Sequence, residues 1–400
     1  MDLNVWPAWP LHFGGLLHAG LALAVTAIVG EACRRADIPR VAGYASAGLL
    51  LGPAALGWFN AGALTTYRGI VDLCVALMLF ELGIRLDARW FRANPGLLAT
   101  ALADIVLTLL VVFGALWASG VDSDLAYAVA AIAVGASPIA LMRVAAEGRA
   151  SGQVTDRMYA LCALSLAASV ILLNLAVGGL HGANRDWILA IAHPLYQLVG
   201  SALGGVLIAV AFGVIRKRLN PGSEQGTAAI VAVMLLAVTI LTALRLPALL
   251  APLFAGAIVK WRDPRPHLWP PQFGSIGGLL VIISLILAGS IMSLDLLAAG
   301  AGAAALAIAA RAAAKLGAAA AFGPATGLDR RKSVALGLAL MPLSVIALLQ
   351  ALDVRSLYPE FGERLLAVVG AMTLVLGILG PIATWRALRR CNELHGGDER

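Results

Sequence analysis

Residues 130–175 read AAIAVGASPIALMRVAAEGRASGQVTDRMYALCALSLAASVILLNL. An apolar segment is interrupted at Gly135-Ala136-Ser137-Pro138. A polar loop with Arg143, Glu147, Arg149, Asp156 and Arg157 follows, and a second apolar segment runs from Tyr159 to Leu175. Proline lacks a backbone N–H and clashes with the carbonyl four residues back, so a helix through Pro138 breaks or kinks. In lipid such a break survives only where protein or a water-filled cavity satisfies the freed backbone groups. The second segment carries Ser165, Ser169 and Asn174 but no acidic or basic side chain. A broken helix beside an uncharged one therefore frames the chemistry open to this chain.

Working outward, the 400 residues are 60% hydrophobic and 13% charged, against about 25% charged in soluble domains. That composition specifies an integral membrane protein whose surroundings are the lipid bilayer. Ala, Leu and Gly dominate, and small residues let membrane helices approach closely. Cys33, Cys74, Cys162 and Cys391 are scattered with no CxxC pair, which signals neither a disulfide framework nor a zinc site. The opening Met1-Asp2-Leu3-Asn4 lacks the basic start of a signal peptide, so the first apolar segment is expected to be retained. There is no polar stretch long enough for a sizeable soluble domain.

A helix needs about 20 apolar residues to cross the hydrocarbon core. That ruler picks out thirteen segments, near 12–32, 41–59, 69–86, 95–119, 125–145, 157–180, 193–215, 226–244, 246–260, 274–294, 298–322, 333–352 and 365–387. Loop charges test the count. Of the 29 Lys and Arg residues, 22 follow odd-numbered segments, only 5 (Arg68, Arg185, Arg245, Arg355, Arg364) follow even-numbered ones, and 2, Arg311 and Lys315, lie inside the eleventh. Basic residues favour the cytoplasmic side, so the N-terminus is expected outside the cell's inner (plasma) membrane and the C-terminus inside. Topology thus accounts for the net charge of +7 without nucleic acid.

Thirteen segments fit two six-helix halves of opposite orientation joined by the seventh. Such inverted repeats are common in secondary transporters, and interrupted segments at matching places point to the site. The counterpart of the Pro138 segment is the twelfth, with Leu340-Met341-Pro342-Leu343-Ser344. Each places a proline and a serine near mid-span.

Several stretches now look familiar. Arg40-VAGYASAGLLLG-Pro53, Asp72-LCVALMLFELGIRL-Asp87, Ala133-VGASPIA-Leu141, Ala248-LLAPLFA-Gly256, Leu287-AGSIMSL-Asp295 and Lys315-Leu316-Gly317 follow one another in order. Together they resemble the monovalent cation:proton antiporters of the Kef and NapA type, the membrane domain of sodium/hydrogen exchangers, over segments two to twelve. The resemblance implies an all-α membrane fold with two inverted six-helix repeats and crossed broken helices. It implies one exchanger domain over 1–400, with segments 1–3 and 8–10 as a dimerisation panel and 4–6 and 11–13 as a core. The partners it implies are monovalent cations and protons, with a second copy of the chain as a homodimer.

The departures are specific. Cys74 and Arg85 replace a usual Gly and Glu. The aspartate such proteins carry in segment six aligns with Ala168, within Ser165-LAAS-Val170, and the acidic position in segment twelve is lost at Pro342-Leu343-Ser344-Val345. Exchanging a proton for a cation needs a group whose proton affinity can be tuned, and serine hydroxyls do not titrate near neutral pH.

The ionisable side chains left within segments are Asp72, Glu81, Asp104, Arg311 and Lys315. Such residues are costly in lipid and are functional candidates by default. Asp72 and Glu81 lie near the ends of segment three and read as interfacial. Asp104 sits near mid-bilayer in segment four, and Arg311 and Lys315, four apart, share a helix face in segment eleven. We expect Asp104 to pair with Arg311 or Lys315, either as a structural pin or in transport. Lys315 matches a family charge; without an aspartate at 168 it could carry the proton, bind an anion or backbone carbonyls, or snorkel towards the interface. Half-helix N-termini plus Arg311 and Lys315 predict an electropositive site, which leaves a same-fold carrier of an anion or small organic solute open. A transport-inactive sensor or scaffold stays open too. No nucleophile–base pair, phosphate loop or filter motif appears. His12, His18, His181, His193, His267 and His395 have no metal-ligand spacing, so neither an enzyme nor a metal or cofactor site is expected. The chain stops soon after segment thirteen, so no nucleotide-binding regulatory domain is expected either.

Overall fold

A computed structural model describes residues 15–59, 62–182, 187–220, 223–247, 249–263, 273–343 and 345–395. Ser344, His12, His267, Arg185, Arg265 and Arg400 lie outside the described residues. The first half runs α1 (Gly15–Arg35), α2 (Arg40–Leu51), α3 (Gly62–Thr66), α4 (Arg68–Ile84), α5 (Ala88–Ala93), α6 (Pro95–Ala118), α7 (Ser123–Val134), α8 (Pro138–Glu147) and α9 (Gln153–Gly182). The second runs α10 (Trp187–Arg218), α11 (Glu224–Ala243), α12 (Leu250–Arg262), α13 (Phe273–Gly289), α14 (Leu294–Phe322), α15 (Arg330–Ala339), α16 (Val345–Leu357) and α17 (Pro359–Arg390), with a 3-10 turn at Gly323–Thr326.

Each of the thirteen apolar segments falls on a helix or a pair of half-helices. Among the described residues, eight helical stretches are long and apolar enough to cross a membrane by themselves. The second segment is shorter than its hydropathy suggests, because α2 ends at Leu51 and residues 52–59 turn. Pro53 cannot continue the helix, and Gly52 takes an extended backbone instead. Glycine here also serves packing. A Cβ at Gly48 would overlap the Leu285 carbonyl, and one at Gly289 would overlap the Gly48 carbonyl, so α2 and α13 run backbone against backbone.

The same succession occurs twice: a long helix, two half-helices split by proline, then a long helix. It reads α6, α7–α8, α9 in the first half and α14, α15–α16, α17 in the second. These eight helices pack on one another, α6 against α14, α14 against α17 and α7 against α9, while α2, α4, α12 and α13 pack together alongside. Each half-helix is buried where it approaches its break, whereas α6, α10 and α11 expose Leu102, Leu110, Leu207 and Leu236 on the outside of the molecule.

Candidate functional site

The site is built where the two broken helices meet. α7 ends at Val134, and α8 restarts at Pro138, whose missing N–H costs nothing at the first helical position. Ser137 caps the restart, its Oγ accepting from the Ala140 N–H at 3.1 Å. The Ser137 N–H donates to the Pro342 carbonyl at 2.9 Å, so the first break is hydrogen-bonded to the second. α15 ends at Ala339 and α16 begins at Val345. Gly380 of α17 backs onto this second break, where a Cβ would overlap Pro342.

Breaking a helix at mid-span leaves the last carbonyls of the first piece without partners and gathers partial negative charge on them. α14 supplies the donors. The Arg311 guanidinium donates to the Ala133 carbonyl at the end of α7. Its other terminal nitrogen lies 3.0 Å from the Leu340 carbonyl, 3.4 Å from Met341 and 3.5 Å from Pro342, at the end of α15. One planar fork thus spans both breaks, which a compact ammonium could not do. Thr384 of α17 donates to the Ala339 carbonyl at 2.9 Å.

Lys315, one turn further along α14, makes the other contact that the sequence left open. Its Nζ lies 2.8 Å from Asp104 Oδ2 on α6 and 3.2 Å from the Val134 carbonyl. Both side chains are buried, with 0% of Lys315 and 3% of Asp104 exposed, so the pair does not snorkel to an interface. Of the two partners open to Asp104, the structure selects Lys315, because the Arg311 fork is spent on carbonyls.

The positive charge expected at the site from the sequence is reduced by this geometry. That expectation counted the half-helix N-termini but not the C-termini that each break also creates. Arg311 and Lys315 face carbonyls at those negative ends, and Asp104 neutralises one of the two charges.

The remaining sequence candidates divide. Pro138, Ser137 and Pro342 lie at the crossing. Ser169 is buried beside Gly135, and Gln350 of α16 reaches its hydroxyl at 3.5 Å. Ser165 is turned onto its own helix, donating to the Cys162 carbonyl at 3.1 Å. Ala168 is half-buried on α9. Asp72 lies 3.5 Å from Arg68 and Glu81 2.8 Å from Arg85, ordinary ion pairs near the ends of α4. Among the described residues no cluster of metal-ligating side chains occurs. Sequence reasoning missed Gln350 and Thr384, and it missed Thr108; only Thr108 had a usable signal, standing four residues after a buried aspartate.

A family profile described as "Sodium/hydrogen exchanger, transmembrane" matches residues 21–389. The chain belongs to the sodium/hydrogen exchanger family. Its fold is similar to the structure of the sodium proton antiporter MjNhaP1 from Methanocaldococcus jannaschii at pH 8. The TM-score is 0.70 at 16% identity, over 94% of this chain and 98% of that one. A second structure of that antiporter, from an electron-microscopy map, superimposes with a TM-score of 0.71 at 13% identity, over 97% of this chain and 100% of that one. A comparison with curated proteins returns no match. The exchanger is a multi-pass membrane transporter of the cation:proton antiporter type, and its family is one of transporters rather than enzymes. The anion-carrier and transport-inactive readings are not favoured.

Proposed function

We propose that the exchanger trades one monovalent cation, sodium or potassium, for one proton at the Asp104–Lys315 pair, with the coupling carboxylate on α6 rather than at position 168 of α9. The observation that carries this is the buried contact of 2.8 Å between Lys315 Nζ and Asp104 Oδ2, at the end of α7 and beside the crossing. A buried ion pair with nothing else to do is often no more stabilising than an apolar pair, so its placement at the break favours a working role.

At rest the Lys315 ammonium faces the Asp104 carboxylate. An incoming cation takes the carboxylate, and Lys315 releases its proton to water. When the cation leaves on the other side, Lys315 takes up a proton there and returns to Asp104. One positive charge moves each way, so the exchange is electroneutral. Arg311 does not titrate in this cycle, because a guanidinium holds its proton where a lysine amine can release it. It holds the two breaks together instead.

In this reading α6–α9 and α14–α17 form the moving core and are inverted repeats of each other. α1, α2, α4 and α11–α13 form the panel through which two copies dimerise, and α10 joins the two halves. The N-terminus lies outside and the C-terminus in the cytoplasm of the inner membrane, as the loop arginines favour. The test is purified protein in liposomes loaded with a pH dye. Sodium or potassium should dissipate an imposed proton gradient, a membrane potential alone should not drive the exchange, and Asp104→Asn and Lys315→Met should each abolish it. Full coupled exchange by Asp104→Asn would reject the assignment.

A further inference from the structure

We infer that Thr108 is a ligand of the transported cation and sets its selectivity, completing with Asp104 an oxygen-lined face on α6. This rests on the exchange at Asp104 proposed above. Thr108 is fully buried and its Oγ1 has no hydrogen-bond partner. Asp104 has one carboxylate oxygen on Lys315, and the other, Oδ1, is likewise buried without a partner. The two residues are four apart on one helix, so they share a face one turn from each other.

A buried threonine in a helix ordinarily satisfies its hydroxyl on the carbonyl four residues back. Thr100, on the same helix, does so, donating to Gly96 at 2.8 Å. For Thr108 that acceptor is the carbonyl of Asp104 itself, and the bond is not made. Leaving a buried hydroxyl unpaired is costly, because its water is lost and nothing replaces it. Two such oxygens on one face, one of them anionic, are the hard donors that an alkali cation takes. Displacing Lys315 frees the second Asp104 oxygen and the Val134 carbonyl, which adds two further oxygens from α6 and α7.

Charge decides the class of ion. Asp104 supplies a single negative charge and Thr108 none, so a monovalent cation is neutralised. A divalent one would keep an uncompensated charge in the protein interior beside Arg311, which is costly.

The experiment compares Thr108→Val, which keeps the shape without the hydroxyl, with Thr108→Ser, which keeps the hydroxyl. Exchange is measured in liposomes over a series of sodium, potassium and lithium concentrations, alongside the rise in melting temperature each salt gives in detergent. Thr108→Val should raise the half-saturating cation concentration about tenfold, as loss of one polar contact to a buried charge would. It should change the preference among the three ions and lose most of the cation-induced stabilisation. Thr108→Ser should stay within about twofold of the parent. Parental half-saturation and stabilisation in Thr108→Val would overturn the inference, as would a loss confined to Thr108→Ser, which would mark the methyl as packing. If Asp104→Asn is inactive while Thr108→Val matches the parent, this inference fails and the exchange reading stands. If Asp104→Asn exchanges normally, the exchange reading fails first.

Discussion

Replacing Lys315 by methionine removes the ammonium and keeps the length of the chain. The contact it removes is an ion pair at 2.8 Å with both side chains at most 3% exposed. At an effective dielectric of about 20, two unit charges at that distance attract by about 6 kcal/mol. The net loss is smaller, because an unpaired Asp104 escapes much of the penalty by taking up a proton. Breaking one side of a buried pair costs about 3–5 kcal/mol, and the orphaned Val134 carbonyl lies within that figure. Asp104→Leu should cost a similar amount by stranding the ammonium. The double variant Asp104→Leu/Lys315→Met carries no buried charge at this point and should recover most of the loss. The assay is equilibrium unfolding or thermal inactivation in detergent for the parent, both single variants and the double. The expected coupling energy is more than about 3 kcal/mol. Single effects that add to within about 0.5 kcal/mol would mean that the two residues do not act as a pair, and both the pinning and the exchange arguments would fall together.

Three further outcomes follow from the geometry. Arg311→Lys keeps the charge but not the fork across Ala133 and Leu340–Pro342, so it should destabilise the fold by about 2 kcal/mol or more, read as a fall in melting temperature and a loss of monodisperse protein. Gly289→Val puts side-chain atoms onto the Gly48 carbonyl; overpacking of this kind costs about 1–3 kcal/mol, and unchanged stability would show that α2 and α13 can separate freely. Glu393 accepts from the Val154 and Thr155 N–H groups at 2.8 Å each and from the Thr155 hydroxyl at 2.7 Å, capping α9 from beyond the end of α17. Glu393→Ala should therefore cost about 1–2 kcal/mol and speed proteolysis in the loop at 148–153, while parental cleavage rates would dismiss the cap.

Much of the fold is written locally. Pro138 and Pro342 fix two breaks because a proline nitrogen cannot donate whatever surrounds it. Apolar length marks the segments, and the alternation of loop arginines orders them. The buried charges Asp104, Arg311 and Lys315 could be named because charge within an apolar run is conspicuous. Their partners could not. Lys315 and Asp104 are 211 residues apart, and Arg311 and Ala133 178, and either cation stood within reach of the aspartate by helix position alone. The tertiary structure decided between them through the carbonyl ends exposed at both breaks. Those ends demanded a planar fork from Arg311 and left the lysine, which can release a proton, to face the carboxylate.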